Sequence, residues 1–179
     1  MIELDDPVWG ELSHCYGSGN DIPPKLRHIE TATSLSEGFW DDLCNLLCHQ
    51  CTVGTASVAA FPHLVAIAAR NTDNQKGFHA IKLASIILSY TIGPKNKVPR
   101  VDKVLSGPFR DAITAGRDVI RAMLFQKKRN FRQTMDFLSV IAAFDSHVDA
   151  ALLLVEFRDG HFDCPECGKR LDVDELYTI

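Results

Sequence analysis

The chain has 179 residues, 46% hydrophobic, 23% charged and 8% aromatic, with a formal net charge of −4. A chain this long hides about 70% of its unfolded surface on folding, enough for one cored domain without covalent staples. The apolar content excludes intrinsic disorder, 11 Gly and 8 Pro exclude collagen-like and low-complexity chains, and the negative balance argues against a general nucleic-acid binder.

Helical periodicity dominates in chain order. Short helices are expected over Pro7–Tyr16, ending at Gly17-Ser18-Gly19-Asn20, and over Pro23–Ile29, with Asp21 as N-cap. Ser36–His49 places Phe39, Trp40, Leu43, Leu46 and Leu47 on one side, and Thr55–Arg70 follows with Pro62 as a kink or new start. Trp9 and Trp40, at helical spacing, read as core. The stripe Phe78, Ile81, Ala84, Ile87, Leu88, Ile92 predicts a helix stopping before Gly93-Pro94. From Phe109 to Leu124, eight apolar or small residues (109, 112, 113, 116, 119, 120, 123, 124) share one face, with Pro108 just before it. Phe131–Phe144 and Val148–Phe157 are apolar nearly all round and are expected to be central, separated by Asp145-Ser146. Strand-like alternation is nearly absent until 161–163 and 170–173, which predict a small hairpin.

Trp9-x-x-Leu12 echoes in Trp40-x-x-Leu43, each followed by a Pro-x-Leu element at Pro24-Lys-Leu26 and Pro62-His-Leu64. That spacing falls within the ~33–47 residues of helix-pair repeats. The expected fold is all-α: a HEAT-like solenoid of antiparallel helical pairs over residues 1–158, with a C-terminal Cys-x-x-Cys hairpin, knuckle-like, over 159–179. An irregular helical bundle is the alternative.

Charge is unevenly placed. Residues 95–132 hold eleven Lys/Arg against three Asp, a balance of +8, which leaves −12 on the remainder. Arg110, Arg117 and Arg121 form a basic rail beside an apolar helix face, and Lys128 lies in the basic stretch beyond it. Such a field can steer an anionic partner, although no aromatics interleave it as single-strand binding requires. Acidic clusters stand at Asp5-Asp6, Asp41-Asp42 and Asp172-x-Asp174-Glu175.

The most specific chemical motif is Cys164-Pro-Glu-Cys167-Gly168, half of a ribbon-type zinc site. No second Cys-x-x-Cys follows it; the nearest supplements are His161 and the distant Cys48 and Cys51. A structural zinc on Cys164, Cys167 and His161, completed from elsewhere, and a metal-free knuckle with thiols both stay open. Cys51 beside His49 has the composition of an activated nucleophile, but no orienting third group is indicated, and a capping turn between helices accounts for it. Phosphate loops, Gly-x-Ser-x-Gly, His-Glu-x-x-His and calcium-loop patterns are absent, and no carboxylates pair for acid/base work. No enzyme is expected. The acidic start lacks a signal peptide's basic and apolar regions, and no apolar run reaches the roughly 18–20 residues of a membrane span. With its cysteines read as reduced thiols, the expected location is the cytoplasm.

Two stretches, Trp9-x-x-Leu12-x-His14-x-Tyr16-Gly17 with Asp21-Ile22-Pro23-x-x-Leu26, and Leu47-x-His49-Gln50-x-Thr52 with Ala56-Ser57-x-x-Ala60-x-Pro62-x-Leu64, resemble a family of small bacterial HEAT-like proteins. That family resembles immunity proteins of secreted polymorphic toxins, and some members end in a Cys-Pro-x-Cys-Gly hairpin. Cys51 departs from the pattern, which has glycine there. The resemblance implies a non-enzymatic immunity protein, a monomer or homodimer, that neutralises a cognate toxin by direct binding. The acidic clusters suit a basic nuclease toxin, with Asp5, Asp6, His14, Tyr16, Asp21, Asp41 and Asp42 as contacts. The rival reading is a HEAT-like nucleic-acid module using Arg110, Arg117, Arg121 and Lys128.

Overall fold

A computed structural model of the chain describes residues 1–50, 52–92, 103–124, 130–158, 161–163 and 170–172. Seven helices dominate them: α1 (Ile22–Thr31), α2 (Glu37–Leu47), α3 (Thr55–Ala69), α4 (Gln75–Ile92), α5 (Lys103–Leu124), α6 (Phe131–Phe144) and α7 (Val148–Arg158). Three two-stranded antiparallel pairs accompany them: β1 (Ser13–His14) with β2 (Gly17–Ser18), β3 (Cys48–His49) with β4 (Thr52–Val53), and β5 (His161–Asp163) with β6 (Arg170–Asp172). The all-α expectation holds in this coarse form, and the C-terminal hairpin is present.

The core centres on α3, buried from Ala56 through Val65 and packed on both α4 and α5. Pro62 lies inside it without dividing it. A proline in a helix interior costs about 3 kcal/mol, and a helix buried on every side has packing enough to offset that. The eight-residue face of α5 is also as expected, since only Leu124 of the set is well exposed. That helix begins at Lys103 rather than at Phe109, and Leu105 adds a buried contact on the extra turn.

The expectation that α6 and α7 are central is overturned. Phe131, Leu138 and Leu153 are exposed on them, because these last helices pack on α4 and on each other and bury only the facing sides. Their junction is nonetheless well made. Ser146 takes a left-handed φ of 68°, His147 N–H donates to the Ala142 carbonyl and Ser146 N–H to that of Ala143, a Schellman ending with serine in glycine's usual place. On the buried side of α6, Asp136 is paired with Lys82 of α4 at 2.9 Å.

The larger correction is at the N-terminus. Pro7–Gly10 forms only a 3-10 turn, and the next residues form the β1–β2 hairpin instead of continuing as helix to Tyr16. Asp6 holds that turn by accepting from Val8 N–H at 2.9 Å. Trp9 is buried, and its indole N–H donates to the Glu3 carbonyl at 3.0 Å, while His63 Nε2 meets the Ile2 carbonyl at 2.9 Å. The first residues are thereby strapped across α3.

Candidate functional site

Two hairpins with two-residue loops meet at one place. In the first, His14 pairs with Gly17 across the register, leaving Cys15 and Tyr16 as the loop. A loop N–H in so tight a turn lacks a ladder partner, and the His14 ring supplies one: Nδ1 accepts from Tyr16 N–H at 3.1 Å. With Nδ1 accepting, the neutral ring carries its proton on Nε2, which stands 3.1 Å from Asp21 Oδ1. Asp21 sits at the N-cap of α1 but makes no capping hydrogen bond; its carboxylate orients the histidine instead. The cap role expected for Asp21 is therefore replaced by a stronger local competitor, a ring donor within reach.

The second hairpin connects α2 to α3 and receives the first. Cys15 N–H donates to the Leu46 carbonyl at 3.1 Å, its thiol to the Thr52 carbonyl at 3.3 Å, and Ser13 N–H to Thr55 Oγ1 at 3.0 Å. Gly54 makes this approach feasible: a Cβ there would lie 2.1 Å from the Ser13 carbonyl oxygen. Beneath the junction, buried Ser57 accepts from Gly54 N–H at 3.1 Å and donates to the Leu47 carbonyl at 2.5 Å. Gln50, in the second loop, has a left-handed φ of 47°.

The product of this joinery is a fixed aromatic on the surface. The Tyr16 side is 60% exposed, yet its backbone is held by His14 and its ring lies 5.0 Å from the His49 ring, tilted by 54°. Half-exposed Asp21 completes a compact group in which Tyr16, His49 and Asp21 reach the surface over the buried His14 ring. An exposed aromatic ring beside a half-exposed carboxylate is an arrangement that suits recognition.

Of the residues expected to bind a partner, His14, Tyr16 and Asp21 come together. Asp5 instead pairs with Arg27 of α1, and Asp6 caps the 3-10 turn. Asp41 and Asp42 are exposed on α2, with no hydrogen bond or ion pair to the hairpin residues. His49 is the contributor that sequence reasoning set aside as a packing turn. The signal for it was the shared Leu-x-His spacing of Leu12-x-His14 and Leu47-x-His49 just before each two-residue loop.

The basic rail has internal attachments. Arg117 Nε donates to the Phe144 carbonyl at 2.9 Å and lies 3.6 Å from Asp145, which puts a cation on the C-terminus of α6. Arg121 pairs with Asp118 at 3.0 Å, Arg110 is exposed, and Lys128 lies outside the described residues.

Two histidines, buried His63 of α3 and half-buried His79 of α4, have shifted pKa values. Burial pushes the His63 pKa below its ordinary value against the opposing Ile2 carbonyl bond and Glu30. Burial, with nearby Lys82, does the same to His79, which stacks on Trp40 at 5.3 Å. Among the described residues no three His, Cys, Asp or Glu side chains converge as metal ligands; Cys164 and Cys167 lie outside those residues, and His161 opens β5. Among the same residues, no helix is long and apolar enough to cross a membrane. No family model, curated protein or solved structure matches this chain.

Proposed function

We propose that this chain is a non-enzymatic, protein-binding immunity protein, and that the paired-hairpin surface around Tyr16 is where it docks its cognate bacterial toxin. The observation that carries the reading is the exposed Tyr16 ring, set on a loop whose amide is hydrogen-bonded to His14 and packed on His49. Tyrosine is enriched among the residues that dominate binding energy, and an anchor already held in place loses little conformational entropy on association. Asp21 beside it and the −12 balance outside residues 95–132 favour a basic partner, a nuclease toxin in the first instance, with electrostatic steering of the encounter. Four residues of the motifs that carry the family resemblance, His14, Tyr16, Asp21 and His49, lie together in the fold.

We further read the order 3-10 turn, hairpin, α1, then α2, hairpin, α3 as two copies of one helical-pair unit, which supports a HEAT-like stack. Within this proposal the chain acts in the cytoplasm, and Cys164 and Cys167 remain candidates for a structural zinc.

The test is co-expression with the toxin encoded beside this gene. The chain protects cells and forms a complex with that toxin. Tyr16→Ala weakens the complex about tenfold or more while leaving the thermal midpoint in place. An affinity unchanged by Tyr16→Ala would move the docking surface elsewhere, and absence of any complex would reject the immunity reading.

A further inference from the structure

A cavity of about 290 Å³ lies between the end of α2, the β3–β4 hairpin, α4, α6 and α7. Its volume is that of roughly ten liquid waters, at the lower edge of the range for small-molecule sites, about 300–1,000 Å³. The β3–β4 hairpin serves both places: Cys48 and the loop residue Gln50 line the cavity, while His49 between them packs on Tyr16.

The wall is mixed in a particular way. Ile86, Leu152 and Val155 supply apolar surface, and among the described residues no Lys, Arg, Asp, Glu or His lines the space. A full charge inside would find no opposite charge among these residues, which favours a neutral ligand. Three serines face the space from two helices. Ser85 donates to the Lys82 carbonyl at 2.7 Å and Ser139 to the Asp136 carbonyl at 2.7 Å, so both have partners. Ser89 is different: it is only 3% exposed, lines the cavity, and its hydroxyl hydrogen-bonds to none of the described residues. A buried hydroxyl without a partner is destabilising. An occupant of the cavity is the natural source of the missing bond.

We propose that this cavity is a binding pocket for a small, neutral, largely apolar molecule, a phenol-like or indole-like compound, whose one polar group hydrogen-bonds to Ser89. The size limits the ligand to about one ring system, the uncharged wall sets its neutrality, and the Ser89 hydroxyl sets its polarity.

The probes are p-cresol and p-xylene, which share shape and differ by a hydroxyl, titrated into the full-length protein and followed by backbone amide shifts. Both give saturable shifts centred on Ser85, Ser89, Ser139 and Ala151, with p-cresol binding about five- to tenfold more tightly, the factor one neutral hydrogen bond supplies. Ser89→Ala, a small change within a helix, erases that preference while p-xylene still binds. Ala151→Phe fills the space and abolishes both. Absence of saturable shifts overturns the proposal, as do shifts mapping to another surface. A p-cresol preference that survives Ser89→Ala overturns the role given to Ser89.

Discussion

The N-terminal and C-terminal halves of the helical body are joined by different means. Around the two hairpins, single polar groups make the contacts: the His14 ring to a loop amide, Ser57 to Gly54 and Leu47, Cys15 to Leu46 and Thr52. Around α5 and α6, ring packing makes them: Phe61 stacks with Phe144 at 5.9 Å and lies 4.3 Å from Phe109, with Gly116 pressed against Phe144. Hydrogen bonds are directional, and each contributes only about 0.5–1.5 kcal/mol. Buried aromatic contacts are larger and less directional. The hairpin junction therefore sets the position of a surface residue, and the ring cluster of Phe61, Phe109 and Phe144 contributes stability.

Matched glycine substitutions separate the two. At Gly116 an added Cβ would lie 2.1 Å from Phe144 Cε1, inside the core. Gly116→Ala gains at most about 1 kcal/mol of helix propensity. The overpacking cost of about 1–3 kcal/mol exceeds that gain, because the Phe144 ring is itself fixed against Phe61. Denaturant unfolding is expected to show a net loss of stability with the Tyr16 surface unchanged. At Gly54 the same 2.1 Å intrusion meets the Ser13 carbonyl at the edge of the molecule. Because the atoms it meets are backbone, Gly54→Ala should cost about 1–3 kcal/mol as well, but here amide exchange at Cys15 and Tyr16 accelerates and partner affinity falls. Equal global losses with no local loosening at Gly54 would dissolve the contrast.

The smallest expected effect is on pH dependence. His63 and His79 have folded-state pKa values lowered chiefly by burial. Below their ordinary value of about 6.5 the unfolded chain binds more protons than the folded one, so their contribution is full above that value and is lost as pH falls through it, levelling off below the lowered folded values. His79→Phe keeps a ring against Trp40 and is expected to flatten this acid-side slope in denaturant titrations between pH 7 and 5. A slope that steepens would reverse the assignment.

Much of this was readable before any coordinates. Long periodic stretches such as 109–124 and 78–92 announce themselves because an amphipathic helix repeats its signal every turn. The hairpins at 13–18 and 48–53 did not, since two-residue strands offer no alternation to detect, and their stability comes from contacts between residues some forty positions apart, such as Ser13 with Thr55. The candidate site was half legible for the same reason. His14, Tyr16 and Asp21 lie within one short segment, whereas His49 joins them only through the tertiary docking of one hairpin on the other. The apolar content of 148–157 suggested a central helix, but composition cannot say which end of a stack a helix occupies.

The central claim is that Tyr16 is exposed and yet held rigid, and backbone relaxation of its amide measures this most directly. The account predicts an order parameter near that of the helices, about 0.85, together with slow exchange of the amide proton that His14 accepts, both lost in His14→Ala. An order parameter below about 0.6 in the unmodified chain would show a floppy loop and contradict the account.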